Sequence, residues 1–337
     1  MERGKNMKRV IVTGATGFVG ANLTRRLVED GHEIHLLVRR GCNSWRIKDI
    51  YSKVSLHETD LTDGDALAGV VSEIKPEWIF HLAVYGAYSW QRDLHQMVQT
   101  NIAGTINLVE ACLKTGFESF VNTGTSSEYG YKDHPPEESA CLEPNSHYAV
   151  TKASATMFCR YTGQSRGMHM PTLRLYSVYG PFEDPGRLIP TLVMEGLAGK
   201  LPPLVNPGVM HDFVFIEDVV EAYLLAARKA GQEPGIVYNV GTGIQTSIGE
   251  IVDSARRIMK IAVEPRWGSM PDRKWDTGSW VADCQKIQKE LGWLPKHTLE
   301  QGLRSVVEWF KSDSTFRNIY KQKNPNLLTS SKMTRRS

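Results

Sequence analysis

The sequence predicts an α/β protein built on a doubly wound parallel sheet. Two observations carry this. Short apolar runs alternate along the chain with stretches of helical spacing, the pattern of repeated strand–helix–strand units. The runs are apolar without alternation, as expected of strands covered on both faces. Right-handed crossovers between such strands then wind the helices over both sides.

The strands are expected at residues 10–13, 33–38, 54–57, 78–82, 119–122 and 172–175. Helical patterns lie between them, at 22–29, 94–114 and 147–165. After Tyr176 the texture changes. Pro181, Pro185, Pro190, Pro202, Pro203 and Pro207 punctuate 180–208 and predict an irregular region. A strand–helix pair at 211–228 and a strand at 236–240 read as a return to the sheet, followed by helices at 248–260 and 299–310. The chain thus divides into a sheet domain, 1–177 plus about 211–240, and a smaller, mixed C-terminal domain, 178–210 plus about 241–315. The stretch 316–337 has few apolar groups to offset ordering entropy and is expected to be a mobile polar tail.

At 337 residues the chain is long enough for about two domains. It is 41% hydrophobic and 23% charged, which excludes a disordered chain, a collagen-like fibre and a coiled-coil rod. Forty basic against 37 acidic side chains leave a net charge of +3, no basis for a nucleic-acid or membrane partner. Cys42, Cys112, Cys141, Cys159 and Cys284 are scattered and form no C-x-x-C. No disulfide scaffold and no metal site are expected, and a reducing compartment is favoured. No apolar run approaches the roughly 20 residues that span a bilayer. The first residues pass into a strand without a signal-peptide pattern, so a cytoplasmic location is expected.

The first strand ends in Thr13-Gly14-Ala15-Thr16-Gly17-Phe18-Val19-Gly20 and opens a helix. Glycines there let backbone amides approach a pyrophosphate, and the helix N-terminus favours its charge. Gly14, Thr16, Gly17, Phe18, Val19 and Gly20 are therefore candidate cofactor contacts in a Rossmann-type sheet; the bland alternative is a plain tight turn. The second strand ends Val38-Arg39-Arg40, with Asn43, Ser44 and Arg46 beyond. A carboxylate at this point would read a ribose 2′-hydroxyl, whereas guanidinium groups grip a 2′-phosphate. Arg39, Arg40 and Ser44 thus favour NADP(H) over NAD(H), unless the arginines are merely solvated loop charges. Asp60, Leu61, Leu82 and Ala83 lie at carboxyl ends of strands, where such sheets bind ligands. His81, just before Leu82, reads more readily as a packed residue than as a catalyst.

Tyr148 and Lys152 stand four residues apart, on one helix face. A phenol near pKa 10 is a poor base at neutral pH, and a neighbouring ammonium would lower that value. The pair can exchange a proton with an alcohol or carbonyl. Thr125, Ser126 and Ser127 follow the fifth strand and can hydrogen-bond a reacting oxygen, or form an ordinary hydroxyl-rich turn.

With these motifs the chain resembles the extended short-chain dehydrogenase/reductases of the nucleotide-sugar epimerase/dehydratase/reductase group. The likeness extends from Val10 to about Phe310. It rests also on His81-Leu82-Ala83, Asn101, the segment Leu173–Pro181, His211-Asp212-Phe213-Val214 and Val240-Gly241-Thr242-Gly243. The resemblance implies that Tyr148 is the acid/base, that Lys152 orients the nicotinamide ribose, and that Thr125 holds the sugar oxygen. It adds Asn101, Tyr176 and Val178 to the cofactor contacts. Tyr85, Ser126, Ser177, Arg187, His211 and Arg273 are implied on the nucleotide-sugar side, which the smaller domain supplies. Ser177 stands where the group usually has Asn, and His211 where it has Arg. A homodimer through the helices at 94–114 and 147–165 is implied as well.

Dehydratases of the group carry acidic residues directly after the catalytic threonine. Here Ser126 and Ser127 follow, and Glu128 comes one place late. Epimerases commonly carry an acidic residue after the second strand. The reading favoured is NADPH-dependent reduction of the 4-keto group of a nucleotide-linked 6-deoxyhexose, as in CDP-abequose synthase-like enzymes. The alternative is an NAD(P)-dependent 4-epimerase; a 4,6-dehydratase and a non-catalytic cofactor-binding regulator rank behind.

Overall fold

A computed structural model describes residues 7–88, 90–229, 233–270 and 280–323. The chain begins β1 (Arg9–Thr13), α1 (Phe18–Glu29), β2 (Glu33–Val38), β3 (Ser55–Glu58), α2 (Gly64–Ile74) and β4 (Trp78–His81). It continues with α3 (Leu94–Val98), a π-helical turn (Gln99–Ala103), α4 (Gly104–Thr115), β5 (Ser119–Thr125), α5 (His147–Arg166) and β6 (Thr172–Leu175). Then come β7 (Ser177–Tyr179), α6 (Leu188–Gly196), β8 (Met210–His211), β9 (Phe213–Phe215), α7 (Ile216–Arg228) and β10 (Val237–Val240). The described chain ends with β11 (Thr246–Ser247), α8 (Ile248–Met259), α9 (Gln285–Leu291), α10 (Leu299–Ser312) and α11 (Ser314–Lys323).

Seven strands form one sheet in the order β3-β2-β1-β4-β5-β6-β10, every pair parallel. Burial explains the apolar runs. Neighbouring residues of a strand serve opposite faces: Val10 and Val12 join one core cluster while Ile11 joins the other, and Phe80 and Ile79 divide likewise. The strand order reverses between β1 and β4, so their carboxyl ends, Thr13 and His81, open the crevice where such sheets bind ligands.

Three expectations change. The strands at 210–215 do not join the main sheet: β9 pairs in parallel with β7, and β8 pairs antiparallel with β11. Only β10 returns to it. Within the proline-rich stretch, α6 forms because Pro190 is its third residue, where a backbone N–H has no helical acceptor to lose. Residues 316–323 belong to α11, where Tyr320 is buried against Trp45, Trp309 and Phe310. Residues 324–337 lie outside the described residues.

Candidate active site

The turn after β1 is packed so tightly that only glycine fits at two places. Gly14 has φ +70°, and a Cβ there would lie 2.5 Å from the carbonyl carbon of Leu82. A Cβ on Gly20 would lie 2.3 Å from the oxygen of Gly14. Gly17 caps α1 without a side-chain bond, so the amides of Phe18, Val19 and Gly20 begin the helix uncapped and free to meet an anion.

Beneath the cradle runs a polar relay. Thr105 donates to the oxygen of Asn101 (2.7 Å), so its hydroxyl oxygen accepts from His81 Nε2 (2.9 Å). His81 Nδ1 then accepts from Thr13 Oγ1 (2.8 Å), which itself accepts from the amides of Leu82 (3.2 Å) and Ala83 (3.1 Å). This chain of donors needs a neutral imidazole. Burial, and next the Lys152 charge, push His81 down to about 3. His81 orients the strand ends as a neutral imidazole, its one ring proton on Nε2 held by Thr105.

Thr125 ends β5, while Tyr148 and Lys152 occupy the first two turns of α5, whose N-terminus is capped by Ser146 accepting from the amide of Ala149 (3.1 Å). Lys152 is buried. The sequence reading expected Lys152 to lower the phenol, and the structure corrects it. Burial first and the Glu128 charge second push Tyr148 up to about 12, against a hydrogen bond with Thr125. Burial likewise pushes the Lys152 ammonium down. Desolvation and the Glu128 charge outweigh the Thr125 hydrogen bond and the Arg187 charge, and the phenol stays protonated.

Glu128 is fully buried. Its carboxylate accepts from the amide of Thr125 (2.9 Å), Thr156 Oγ1 (3.0 Å) and Arg174 Nε (2.8 Å). Arg174 also donates to Tyr129 Oη (2.8 Å), which donates to Asn239 Oδ1 (2.7 Å). This network fixes the turn bearing Thr125 and keeps Glu128 and Tyr129 from acting as proton carriers. Ser126 is buried beside it.

Asn101 brackets Tyr85. Its Oδ1 accepts from the Tyr85 amide (2.8 Å), and its Nδ2 donates to the Tyr85 oxygen (2.8 Å) and to Thr151 Oγ1 (2.9 Å). Both amide protons of Asn101 are thus engaged, and it positions the loop after β4 against α5. That loop carries Tyr88, whose ring stacks on exposed Trp90 with centroids 4.5 Å apart. Arg187 donates to the oxygen of Ala87 (3.1 Å) and lies over Tyr88 (5.5 Å). Arg187 and Tyr88 are near enough to Tyr148 for their charges to bear on its phenol, Arg187 lowering and Tyr88 raising its pKa. Sequence reasoning missed Tyr88; no spacing marks it.

Arg39, Arg40, Glu58 and Asp60 line a cavity of about 460 Å³ at the ends of β2 and β3. Both arginines are exposed, and among the described residues neither is in an ion pair. Asp60 accepts from the amide and hydroxyl of Thr62 (both 2.9 Å). Leu61 is buried against Gly104. Ser44 stands in the loop beyond, its carbonyl accepting from the amide of Ile47 (3.0 Å). Arg46 turns away from this group: it donates to the oxygens of Phe182 (2.7 Å) and Thr16 (3.3 Å). On the far side, Tyr176 is buried, and the amides of Ser177 and Val178 bond to Asp212 and Tyr176 oxygens. His211 lies against Phe213 and Trp280. Asp212 accepts from Thr242 N and Oγ1, Gly243 N and Ala282 N, pinning the glycine turn after β10. Arg273 lies outside the described residues.

The profile of the NAD dependent epimerase/dehydratase family matches residues 10–241. The chain belongs to that family. A UDP-glucose 4-epimerase from Mycolicibacterium smegmatis is 31% identical over 318 residues, covering 91% of this chain and 99% of the relative. A UDP-glucose 4-epimerase from Thermotoga maritima, solved with UDP-glucose, superimposes with TM-score 0.81 at 27% identity, over 90% of this chain and 98% of that one. A dTDP-glucose 4,6-dehydratase from Bacillus anthracis, solved with NAD, gives TM-score 0.80 at 25% identity, over 93% and 99%. The family is that of the extended short-chain dehydrogenase/reductases acting on nucleotide sugars, enzymes that depend on NAD, as the resemblance implied.

Proposed function

We propose that this enzyme reduces the 4-keto group of a nucleotide-linked 6-deoxyhexose with NADPH. The observation that carries the reading is that α5 sets Tyr148, hydrogen-bonded with Thr125 at the end of β5, one helical turn from the buried Lys152. The cradle that a Cβ on Gly14 or Gly20 would fill fits a dinucleotide pyrophosphate. The unpaired guanidinium groups of Arg39 and Arg40 suit a 2′-phosphate. Bound there, NADPH would supply the hydride for the carbonyl carbon. Thr125 Oγ1 donates a hydrogen bond to the reacting oxygen. Tyr148 Oη gives that oxygen its proton as charge develops, and the Lys152 ammonium stabilises the phenolate left behind. The first two turns of α5 keep Tyr148 and Lys152 on one face throughout.

In this reading residues 1–177 and about 211–240 hold the cofactor, and 178–210 with about 241–315 hold the nucleotide sugar. Exposed Leu94 and Val98 on α3 and Val150, Met157 and Tyr161 on α5 support a homodimer through these helices. The free cysteines, of which Cys112, Cys159 and Cys284 are buried, support a reducing cytoplasm.

A second reading is a 4-epimerase, favoured by the 31% identical relative. It would use the same three residues, with Tyr148 first taking and then returning the proton. The assay is NADPH absorbance with UDP-, dTDP-, CDP- and GDP-linked 4-keto-6-deoxyhexoses. Stoichiometric loss of NADPH is the expected result. Interconversion of C4 epimers without net NADPH consumption would establish the epimerase instead.

A further inference from the structure

Three consecutive carbonyls after β7 are each held by a side chain from a different part of the chain. Asn22 of α1 donates to the oxygen of Pro181 (3.0 Å). Arg46 Nε donates to the oxygen of Phe182 (2.7 Å). Tyr320 of α11 donates its hydroxyl to the oxygen of Glu183. Between these grips Phe182 stands at φ +68°, a left-handed conformation that a bulky residue keeps only when its surroundings enforce it. Its ring packs against Trp309 and Phe316, both with centroids 5.0 Å away, and lies under the Arg25 guanidinium (3.9 Å).

The two ends of this segment reach the two halves of the site. At one end Arg46, while holding Phe182, also reaches the oxygen of Thr16 in the glycine cradle (3.3 Å) and pairs with Asp184 (3.8 Å). At the other end Arg187 bonds the loop after β4 and acts on Tyr148. We infer that residues 181–187 form a strap along the dinucleotide groove, and that Tyr320 and Arg46 are the positioning residues that hold it in its strained form. The strap sets the distance between the cradle, which takes the pyrophosphate, and Arg187 on Ala87 and Tyr88 of the loop after β4. The inference rests on the cofactor reading above. The Glu183 carboxyl is buried and one of its oxygens has no hydrogen-bond partner. Burial pushes it up to about 8, which favours its neutral form.

The experiment compares the full chain with Tyr320→Phe and Arg46→Lys. Tyr320→Phe keeps the ring in its aromatic cluster and removes one hydrogen bond, so the Tm should move by only a few degrees. Arg46→Lys keeps the charge but loses the fork that spans two carbonyls. Each should weaken binding of NADP(H), measured by fluorescence titration, by about 2- to 10-fold, the range of one hydrogen bond. Without any cofactor, each should speed hydrogen exchange at Gly186 and Arg187, whose amides bond to Asp184. Wild-type affinity and exchange in both variants would overturn the inference. So would exchange that speeds equally across α6 and α10, because Tyr320 would then be a general core residue. If the wild type binds neither NADP(H) nor NAD(H), the cofactor reading falls and takes the strap with it.

Discussion

Glu128→Gln tests whether the polar network under the site holds Thr125 and tunes Tyr148. In the wild type the Glu128 carboxylate is 0% exposed and its partner Arg174 only 3%. Glutamine keeps one acceptor oxygen. Three donors now converge on the carboxylate, so at least one loses its acceptor or faces an NH₂. The Arg174 guanidinium also remains buried without a counter-charge. Removing one partner of such a pair costs about 3–5 kcal/mol, a large share of the about 5–15 kcal/mol that holds a protein folded. Urea unfolding should show the loss as a lower midpoint with an unchanged slope. A second change follows in the chemistry. The Glu128 charge is the second cause, after burial, that holds the Tyr148 proton on. A raised phenol keeps its proton to higher pH, so removing that charge lets it ionise at lower pH. The alkaline limb of kcat, which reports loss of the proton donor, should therefore move down in pH. A stability loss below about 1 kcal/mol would refute the buried-pair argument. An alkaline limb that stays put or rises would refute the electrostatic one.

Other outcomes follow from the same geometry. Tyr148→Phe should cut turnover by roughly 10²- to 10⁴-fold while leaving cofactor affinity intact, measured by steady-state kinetics and titration. Arg39→Ala combined with Arg40→Ala should weaken NADPH binding about 10- to 100-fold and leave NADH unaffected; equal wild-type affinities for the two would refute the 2′-phosphate assignment. Sedimentation should find the wild type at about twice the monomer mass and Met157→Glu as monomer, since that side chain is 62% exposed on α5.

The parts legible in the sequence are those set by neighbours along the chain. β4, β6 and β10 are buried at every residue, and apart from His81, Thr172, Arg174 and Asn239 their residues are apolar, so they read as strands covered on both faces. Tyr148 and Lys152 share a helix face by spacing alone. The glycine cradle is legible because its demand, backbone approach without a Cβ, can be met only by glycine. Arg46 was not legible: beside Arg39 and Arg40 it reads as another surface cation, yet it folds inward onto Phe182, 136 residues away. The short β8 and β9 were misplaced because two or three residues carry no period, and Asp212 between them is fixed by Thr242 and Ala282 from distant loops. The raised tyrosine pKa is illegible in the sequence for a related reason. Spacing reveals a neighbouring cation, but burial and Glu128 come from the tertiary structure.

The same distinction bears on which relatives are informative about the reaction. The chain is similar to both a 4-epimerase and a 4,6-dehydratase, and its glycine cradle, Tyr148 and Lys152 would serve any of these chemistries equally. Elimination of water needs an acid or base beyond Tyr148, close to Thr125. By sequence Glu128 is the nearest carboxylate to offer. In the structure it is committed to Arg174, Thr156 and the Thr125 amide, with no exposed surface through which an oxygen could take a proton from a sugar. Ser126 and Ser127, which stand nearer, are hydroxyls and cannot hold the charge that elimination requires at neutral pH. Among the described residues around Thr125, what remains for the proposed reading is Tyr148 as proton carrier and Thr125 as oxygen-binding hydroxyl. That is the equipment for moving a hydrogen to or from C4, and it favours a reductase or an epimerase over a dehydratase.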